Sequence, residues 1–350
     1  MPDPGGYPDF SAQLIAWQER HGRHSLPWQN TRDPYAIWVS EIMLQQTQVS
    51  AVIPYYQRFM ASFPDVGCLA GADEEAVLRH WSGLGYYSRA RNLHSAAQII
   101  AASHDGRFPG DFDAILALPG IGRSTAAAIC VFAFGERQAI LDGNVKRVFA
   151  RCFGVAGWPG LPAVERQLWE IAQKLLPEVG IEAYTQGLMD LGATVCTRTR
   201  PSCSICPLSS RCAALRTNQT GALPAPKPRK ALPERETVML LLRHEGEILL
   251  EKRPSAGIWG GLWSLPEVGQ GADMQQLSRE RFGLEVKLLP PLARLSHTFT
   301  HFRLHIVPQP LDVIGRRPIV QEPGTLWLGL EDAVGAAVPT PVRTLIQRLR

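Results

Sequence analysis

The sequence lacks an apolar run long enough to cross a membrane, and its first residues lack the pattern of a signal peptide. It also lacks a strong excess of one charge, since 36 Lys and Arg residues face 32 Asp and Glu residues. The first two absences exclude membrane-spanning and secreted classes, so we expect a cytoplasmic protein. The formal net charge of +4 permits a nucleic-acid partner without requiring one.

Cysteine is scarce outside one short segment. Three of the seven cysteines, Cys68, Cys130 and Cys152, stand alone in apolar surroundings and are expected in the core. The other four have the spacing Cys-x6-Cys-x2-Cys-x5-Cys and are Cys196, Cys203, Cys206 and Cys212. Clustered cysteines in a long intracellular chain indicate a metal site more than disulfides. Four thiolates can hold either an iron–sulfur cluster or a zinc ion.

An acidic residue interrupts the apolar pattern of the second expected helix. The pair Asp33-Pro34 is typical of a helix start, with the aspartate as N-cap. Glu41 lies three or four positions from Ile37 and Leu44, so it shares their apolar face. Burial there would raise the pKa of its carboxyl. The alternative is a Glu at the helix edge that reaches solvent.

A glycine-rich turn precedes an alanine-rich helix expected over 124–134. Gly120 and Gly122 are separated by one residue, and backbone N–H groups in such a turn can bind a phosphate. Asp142 follows 20 residues after Gly122, just ahead of another helix whose dipole favours the charged carboxylate. Taken alone, the Gly-x-Gly sequence is also typical of an ordinary helix–helix turn.

The hydrophobic period changes after a proline-rich stretch at residues 223–235, which predicts an extended linker. Residues 236–350 are expected to form an α+β domain. Its predicted strands cover 237–242, 248–251, 286–289, 295–307 and 326–328, and its predicted helices cover 274–282 and 341–349. Between the first two strands, His244-Glu245-Gly246 predicts a hairpin turn.

Together, the Gly-x-Gly turn and the segment Leu141–Val148 (LDGNVKRV) resemble the helix-hairpin-helix DNA glycosylase superfamily that includes endonuclease III. The resemblance covers roughly residues 10–212. It implies a mainly α-helical glycosylase domain over residues 1–222 that binds double-stranded DNA. The cysteine spacing is similar to that of the family's iron–sulfur loop, so the resemblance implies a [4Fe–4S] cluster in the loop 196–212.

A missing lysine distinguishes branches of this superfamily. Bifunctional members need a lysine nucleophile just after Gly-x-Gly-Arg, where this sequence has Ser124. The segment from Ser40 to Gln48 looks like the motif that holds the catalytic Glu in the MutY family of adenine DNA glycosylases. The resemblance therefore implies a monofunctional enzyme of base excision repair that releases adenine paired with 8-oxoguanine or guanine.

The C-terminal domain resembles a Nudix fold without the acidic core of the Nudix motif. The segment 261–267 fits the opening Gly-x5-Glu, but residues 275–283 lack the clustered carboxylates that would bind magnesium. We therefore expect a recognition domain and not a pyrophosphohydrolase. The segment 296–301 is similar to the loop with which MutY recognises 8-oxoguanine, which makes Phe299, Thr300 and His301 the candidate readers. An ordinary strand with alternating polar residues is the alternative.

The resemblance also implies a role for each site residue. Glu41 would protonate adenine at N7 and later orient or activate water. Asp142 would stabilise the oxocarbenium-like transition state or form a transient adduct, and Asn144 would fix these carboxylates or the water. DNA contacts are expected from Gln46, Tyr86, Gly120, Gly122, Lys146, Arg198 and Arg200.

Two other functions stay open at this point. One is a bifunctional endonuclease III-type glycosylase and lyase acting on oxidised pyrimidines, which Ser124 disfavours. The other is a non-enzymatic iron–sulfur DNA-binding sensor, which the pair Glu41 and Asp142 disfavours. The resemblance further implies a monomer that associates with the bacterial nucleoid and has no membrane partner.

Overall fold

Two separate groups of residues pack along the chain in the computed structural model, which describes residues 8–228, 231–317 and 324–349. The first unit comprises the described residues up to Gly71 together with 92–228, and the second comprises Ala72–Arg91 together with the described residues from 231 onward. Arg229 and Lys230 of the expected linker lie outside the described residues. The domain boundaries 1–222 and 236–350 stay predictions.

The part of the chain before the linker is helical, as predicted. Helix α5 and the first turn of α6 belong to the second unit, and the other helices belong to the first. Their bounds are α1 (Pro8–His21), α2 (Pro34–Leu44), α3 (Val49–Ser62), α4 (Val66–Ala70), α5 (Glu74–Trp81), α6 (Ser88–Ser103), α7 (Phe112–Leu116), α8 (Arg123–Phe134), α9 (Gly143–Cys152), α10 (Pro162–Lys174), α11 (Ile181–Asp190) and α12 (Ala213–Arg216).

Local capping rules explain where these helices begin. The Asp33 carboxylate accepts a hydrogen bond from the Tyr35 N–H and Pro34 is the first residue of α2, which confirms the predicted start. The helix α2 ends at Leu44, and Gln46, two residues later, has a positive φ of 57°. A left-handed residue cannot continue a right-handed helix.

The core of the first unit lies between α1 and the helices from α8 to α11. Phe10 and Leu14 of α1 are buried against Phe149 of α9 and Tyr184 of α11. Large apolar side chains at this junction supply most of the buried area that stabilises such a bundle. The packing fixes the N-terminal ends of α8 and α9, where the candidate site residues lie.

A mixed sheet forms the second unit with the helices around it. The strands are β1 (Glu234–His244), β2 (Glu247–Lys252), β3 (Trp263–Ser264), β4 (Glu267–Val268), β5 (Leu284–Leu288), β6 (Leu295–Thr298), β7 (Arg303–Arg316) and β8 (Thr325–Gly329), and the helices are α13 (Met274–Phe282), α14 (Leu330–Gly335) and α15 (Thr340–Gln347). The sheet order is β3-β2-β1-β7-β5, with β4 on β1, β6 on β7 and β8 on β2. The α+β prediction is confirmed.

The strand predicted over 295–307 is wrong in one respect that matters for function. The segment contains two antiparallel strands, β6 and β7, which pair Thr298 with Arg303 and leave residues 299–302 as the turn. The Phe299 N–H donates to the Phe302 carbonyl at 2.9 Å and closes this turn. The candidate reading residues therefore lie at the tip of a hairpin instead of along a strand.

The isolated cysteines follow the sequence prediction in two cases of three. Cys130 and Cys152 are buried, whereas Cys68 is exposed. Cys68 lies in the short helix α4, whose N-cap is Asp65, and its thiol donates to the Asp65 carboxylate at 3.5 Å. This local hydrogen bond holds the thiol at the surface. No helix within the described ranges is long and apolar enough to span a membrane.

An ion pair at the end of α11 ties that helix to the loop after α1. The Asp190 carboxylate, fully buried, accepts from the Arg23 backbone N–H at 2.8 Å, the Arg23 Nε at 2.6 Å and the Gln186 amide at 2.8 Å. Removing one charge of a buried pair leaves the other without compensation.

We expect Asp190→Asn to lower the free energy of unfolding of the helical unit by about 3 kcal/mol, because Arg23 would lose its charged partner. Glu178→Gln is the matched control, since Glu178 pairs with Arg137 but has 86% of its side chain exposed. Urea denaturation followed by tryptophan fluorescence measures both variants. Equal midpoints for the two variants would contradict the assignment of Asp190 as a structural anchor.

Candidate active site

Asp142 caps the start of α9, and its carboxyl group is at the same time surrounded by protein. Its carboxylate caps the helix by accepting from the Val145 N–H at 2.8 Å, and its other oxygen accepts from the Asn144 amide at 3.4 Å. Burial raises the pKa of Asp142, while these hydrogen bonds and the Arg147 charge oppose the rise. The predicted cap is present, but burial outweighs the stabilisation expected from the helix end.

Glu41 lies on α2 with only part of its surface exposed. Its pKa is raised to about 8, mainly because the carboxyl is surrounded by protein and also because the charge of Asp142 acts on it. A carboxyl with this pKa is protonated at neutral pH and can donate a proton. The predicted rise in pKa agrees with the structure, and the charge of Asp142 contributes part of it.

Both carboxyl groups line one cleft of about 1090 Å³. This volume is at the upper end of ligand-binding pockets, roughly 300–1,000 Å³, and can admit a nucleotide. The residues around it include Glu41, Gln46, Ser124, Asp142, Asn144, Arg147, Gly192 and Arg198. The cleft thus brings together the catalytic candidates and two of the expected DNA contacts.

A second cavity, of about 400 Å³, also has Glu41 in its wall. Trp28, Ile37 and Leu44 provide apolar surface, and Arg23 and Gln186 provide polar groups. The wall of this cavity is about equally polar and apolar, so it offers a ligand both apolar surface and hydrogen-bonding groups. No sequence pattern singles out Trp28 or Gln186, since neither lies in a motif and the two are far apart in the chain.

Arg147 is a functional residue that sequence reasoning missed. Its guanidinium donates to the Asn144 side-chain oxygen at 2.7 Å, the Gly192 carbonyl at 2.7 Å and the Cys196 carbonyl at 2.8 Å. Asn144 in turn donates to Asp142, so Arg147 fixes the orientation of the amide beside the candidate catalytic carboxylate. A signal existed, because Arg147 lies one helical turn after Gly143 on the same side as Asn144.

Arg151, one turn further along α9, binds the backbone that leads into the cysteine segment. It is 2% exposed and donates to the Thr197 carbonyl at 2.7 Å, the Leu223 carbonyl at 2.9 Å and the Arg198 carbonyl at 3.0 Å. Its guanidinium also lies 3.4 Å from the Cys196 sulfur. A buried Arg with this set of acceptors holds the segment in one conformation.

The four cysteines of the segment line one cavity together with Cys152 and Arg151. All four are free of disulfides and partly exposed, and they are Cys196, Cys203, Cys206 and Cys212. Within the residues that the structure describes, no three His, Cys, Asp or Glu side chains are placed to hold a single metal ion. The four cysteines therefore share one cavity.

The glycine turn before α8 has the expected form. Gly120 has a positive φ of 81°, and a Cβ there would lie 2.8 Å from the Asn92 Cβ, so only glycine fits. Gly122 is the N-cap of α8 and has open space around it. Ser124, at the position of the lyase lysine, accepts a hydrogen bond from the Leu141 N–H at 2.9 Å.

The other expected DNA contacts lie in different settings. Lys146 forms an ion pair with Glu165 at 2.6 Å, and it is not among the described residues that line the cleft. Arg198 lines the cleft, and Arg200 is exposed with its carbonyl bound to the Thr197 hydroxyl. Tyr86 belongs to the second unit, where its side chain is 45% exposed.

The hairpin tip of the second unit is an aromatic cluster. Phe299 stacks on Phe302 at 4.6 Å and contacts His297 at 4.6 Å, with the distances measured between ring centroids. Thr300 and His301 are exposed at the tip, and the Thr300 hydroxyl lies 3.4 Å from the His301 Nδ1. The arrangement leaves the Thr300 hydroxyl and the His301 imidazole accessible above a packed cluster of aromatic side chains.

Gly192→Ala tests how closely α9 must approach the turn after α11. A Cβ at Gly192 would lie 2.5 Å from the Asn144 Cβ, so we expect a melting-temperature decrease that corresponds to about 2 kcal/mol and a displaced Asn144. Gly221→Ala is the matched control, since a Cβ there meets no atom within 4 Å. Indistinguishable melting curves would show that the site tolerates the methyl group.

Comparison with known proteins identifies the families that the two parts of the chain resemble. Residues 39–174 match the profile of the HhH-GPD superfamily base excision DNA repair proteins, and residues 237–348 match that of the NUDIX domain. Among solved structures, a thermostable thymine-DNA glycosylase is 30% identical with a TM-score of 0.54, covering 59% of this chain and 95% of that one. An endonuclease III–DNA complex, with 20% identity and a TM-score of 0.53, covers 62% of this chain and 99% of that one and shows the fold alone.

Full-length relatives are more informative. The chain is 34% identical to the adenine DNA glycosylase of Buchnera aphidicola subsp. Acyrthosiphon pisum, with 97% of each chain covered. It is 34% identical to the human adenine DNA glycosylase over 97% of this chain and 73% of that protein. The Mycolicibacterium smegmatis enzyme of the same name is 42% identical over 56% of this chain and 67% of that protein. The chain belongs to the adenine DNA glycosylase family.

Proposed function

We propose that the chain is a monofunctional adenine DNA glycosylase that releases adenine mispaired with 8-oxoguanine or guanine during base excision repair. The observation that carries the proposal is the pair of carboxyl groups in one cleft, with a pKa of about 8 at Glu41 and the capped carboxylate of Asp142 acting on it. A proton donor beside a second carboxyl group is the arrangement that glycosidic cleavage needs.

The chemistry follows from these two groups. Adenine leaves the duplex and enters the cleft. Glu41 donates its proton to N7 of adenine as the C1′–N9 bond breaks, so that the base leaves as neutral adenine. Asp142 stabilises the positive charge that develops on the sugar, and Glu41, now a carboxylate, accepts a proton from the water that attacks C1′. Asn144, held by Arg147, keeps Asp142 in place.

The cavity beside Glu41 is the proposed site of the flipped base. Trp28 and Ile37 supply apolar surface for the faces of the purine, and Gln186 and Arg23 supply polar groups for its edge. Because Glu41 also lines the larger cleft, a base in this cavity would present its edge to the proton donor while its sugar stays near Asp142.

The absence of strand cleavage follows from Ser124. A lyase forms a Schiff base between an amine and C1′, and a hydroxyl bound to the Leu141 N–H cannot supply that amine. Lys146, the nearest lysine in the motif, is bound to Glu165. Backbone N–H groups after Gly122, together with Arg198 and Arg200, are the proposed contacts to the DNA backbone.

The cysteine segment fits a [4Fe–4S] cluster better than a zinc ion. Four thiolates can hold either group, but the spacing of Cys196, Cys203, Cys206 and Cys212, which line one cavity, is similar to that of the family's iron–sulfur loop. When bound, the cluster would supply a fixed, crosslinked loop and not a reacting group. Arg151 holds the backbone of that loop.

The tip of the β6–β7 hairpin is the proposed reader of 8-oxoguanine. This base differs from guanine at N7 and O8, so a reader must offer hydrogen-bonding groups to that edge. Thr300 offers a hydroxyl and a backbone N–H, and His301 can contact the neighbouring phosphate. Phe299 packs on Phe302 and holds the hairpin tip in place from below.

A duplex that contains A:8-oxoguanine tests the function and the role of Glu41 together. The wild-type protein should release adenine and leave the strand intact until alkali is added. Glu41→Gln should reduce release by about 10³-fold or more while duplex binding is kept, since a general acid contributes up to ~10⁴-fold. Glu178→Gln, on an exposed carboxylate, is the matched control.

The pH profile gives an independent check. The carboxyl group of Glu41 is protonated below its pKa of about 8 and loses its proton as the pH rises through that value. The rate of adenine release should therefore fall on the alkaline side. Strand cleavage without alkali would point to the lyase, and DNA binding without base release would point to the sensor. A Glu41→Gln variant with the wild-type rate would make Glu41 structural.

The purified protein should contain iron and sulfide and absorb broadly near 400 nm, roughly where iron–sulfur proteins absorb. Cys203→Ser should remove this absorbance and weaken duplex binding, because the loop also positions Arg198 and Arg200. Cys68→Ser is the matched control, since Cys68 is exposed and lies outside the segment. Metal analysis that finds zinc in place of iron would refute the cluster.

A further inference from the structure

The segment Ala72–Arg91, although it precedes the linker by more than a hundred residues, packs with the C-terminal part of the chain in the second unit. The Glu75 carboxylate accepts from the Lys252 Nζ at 2.5 Å and the Trp263 Nε1 at 2.8 Å. Burial raises the pKa of Glu75, but these hydrogen bonds outweigh it and the pKa is lowered. The ionised carboxylate thus fixes α5 on the strands β2 and β3.

The two ends of the loop after α5 are also held. The Ser82 hydroxyl donates to the Val338 carbonyl at 2.9 Å and accepts from the Arg343 guanidinium at 2.7 Å. At the other end, the Arg91 guanidinium donates to the Gly260 carbonyl at 2.5 Å. The loop that carries Tyr86 is therefore anchored on both sides by residues of the C-terminal part.

The loop itself has a defined conformation. Tyr86 has a positive φ of 50°, which only a firmly held residue of this size adopts. The Arg89 guanidinium donates to the Gly85 carbonyl at 3.1 Å and lies 5.5 Å from the centre of the Tyr86 ring. Arg89 is 8% exposed and Tyr86 45%, so a buried cation supports an aromatic ring that faces solvent.

Gly260 and its neighbour connect this loop to the candidate reading hairpin. Trp259, only 7% exposed and with a positive φ of 56°, lies 5.7 Å from His297 and 5.3 Å from Phe299 between ring centroids. The Arg253 Nε donates to the Ile258 carbonyl at 3.0 Å and holds the chain before Trp259. The backbone that Arg91 binds is thus the same short stretch that supports the hairpin tip.

We propose that Arg91 is a positioning residue that couples the Tyr86 loop to the Phe299–His301 hairpin through Gly260 and Trp259. The second unit then presents the two segments as one reader of the base opposite adenine, instead of two independent DNA contacts. This inference rests on the proposed function, in which both segments contact DNA. Arg91 acts through the backbone and not by touching the substrate.

Arg91→Met tests the coupling, because it keeps the apolar stem and removes the hydrogen-bond donors. We expect the preference for A:8-oxoguanine over A:guanine in single-turnover adenine release to fall about tenfold, a typical cost of a lost charge-assisted hydrogen bond. The rate on A:guanine should stay close to wild type, since the catalytic pair lies in the first unit. Arg279→Met on α13, an exposed arginine, is the matched control for charge.

A double-mutant cycle separates coupling from general loosening. When Arg91 is present, Tyr86→Leu and Phe299→Leu should reduce the preference for A:8-oxoguanine over A:guanine non-additively. In the Arg91→Met background, the effects of the same two substitutions on this preference should be additive. Arg91→Lys, which keeps a donor and the charge, should restore part of the non-additivity and guards against a Met variant that folds poorly. Additive effects in the wild-type background, or unchanged non-additivity in Arg91→Met, would overturn the inference.

The two proposals fail in different ways. A wild-type protein that releases no adenine from either duplex contradicts the proposed function. A wild-type protein that prefers 8-oxoguanine, with the same preference in Arg91→Met, contradicts the coupling alone.

Discussion

The buried carboxylate at the start of α9 is the constraint on which the site depends. A carboxylate can be buried at acceptable cost only if hydrogen bonds satisfy it, and Val145 and Asn144 supply them. Its negative charge then acts on the carboxyl group of Glu41 and helps to raise that pKa to about 8. One residue therefore caps a helix and helps to keep Glu41, the proposed proton donor, in its acid form.

The same helix extends this constraint to the cysteine segment. Arg147 binds both the Asn144 side chain and the Cys196 carbonyl, and Arg151 binds the backbone of the following residues. Gly192 allows the close approach, because any side chain there would meet Asn144. The segment is consequently connected to Asp142 through three hydrogen bonds, which join Cys196 to Arg147, Arg147 to Asn144 and Asn144 to Asp142.

Local signals made most of this fold predictable, and long-range contacts set the limit. The cap at Asp33, the turn at Gly120 and the hairpin at Gly246 depend on neighbouring residues, and the structure has all three. The apolar face around Glu41 was also enough to predict a raised pKa. The β6–β7 hairpin was missed because Phe299–Phe302 contains no glycine, proline or asparagine to signal a turn.

The role of a residue whose partner lies far away in the sequence could not be predicted from the sequence alone. Arg91 resembles any basic helix residue until Gly260 is placed beside it, and Trp28 has no motif around it. Glycine gives a partial signal in such cases, since it marks a close approach but not the approaching element.

Two residues that match the Nudix motif, Gly261 and Glu267, also depend on partners far away in the sequence. A Cβ at Gly261 would lie 3.0 Å from the Glu74 carboxylate and 3.3 Å from Leu78, so this glycine permits the contact with α5. Glu267 forms an ion pair with Arg253, which also holds the backbone before Trp259. Both residues match the Nudix motif, and their contacts help to hold the Tyr86 loop and the hairpin in place. These packing contacts are enough to explain the presence of both residues without a catalytic role.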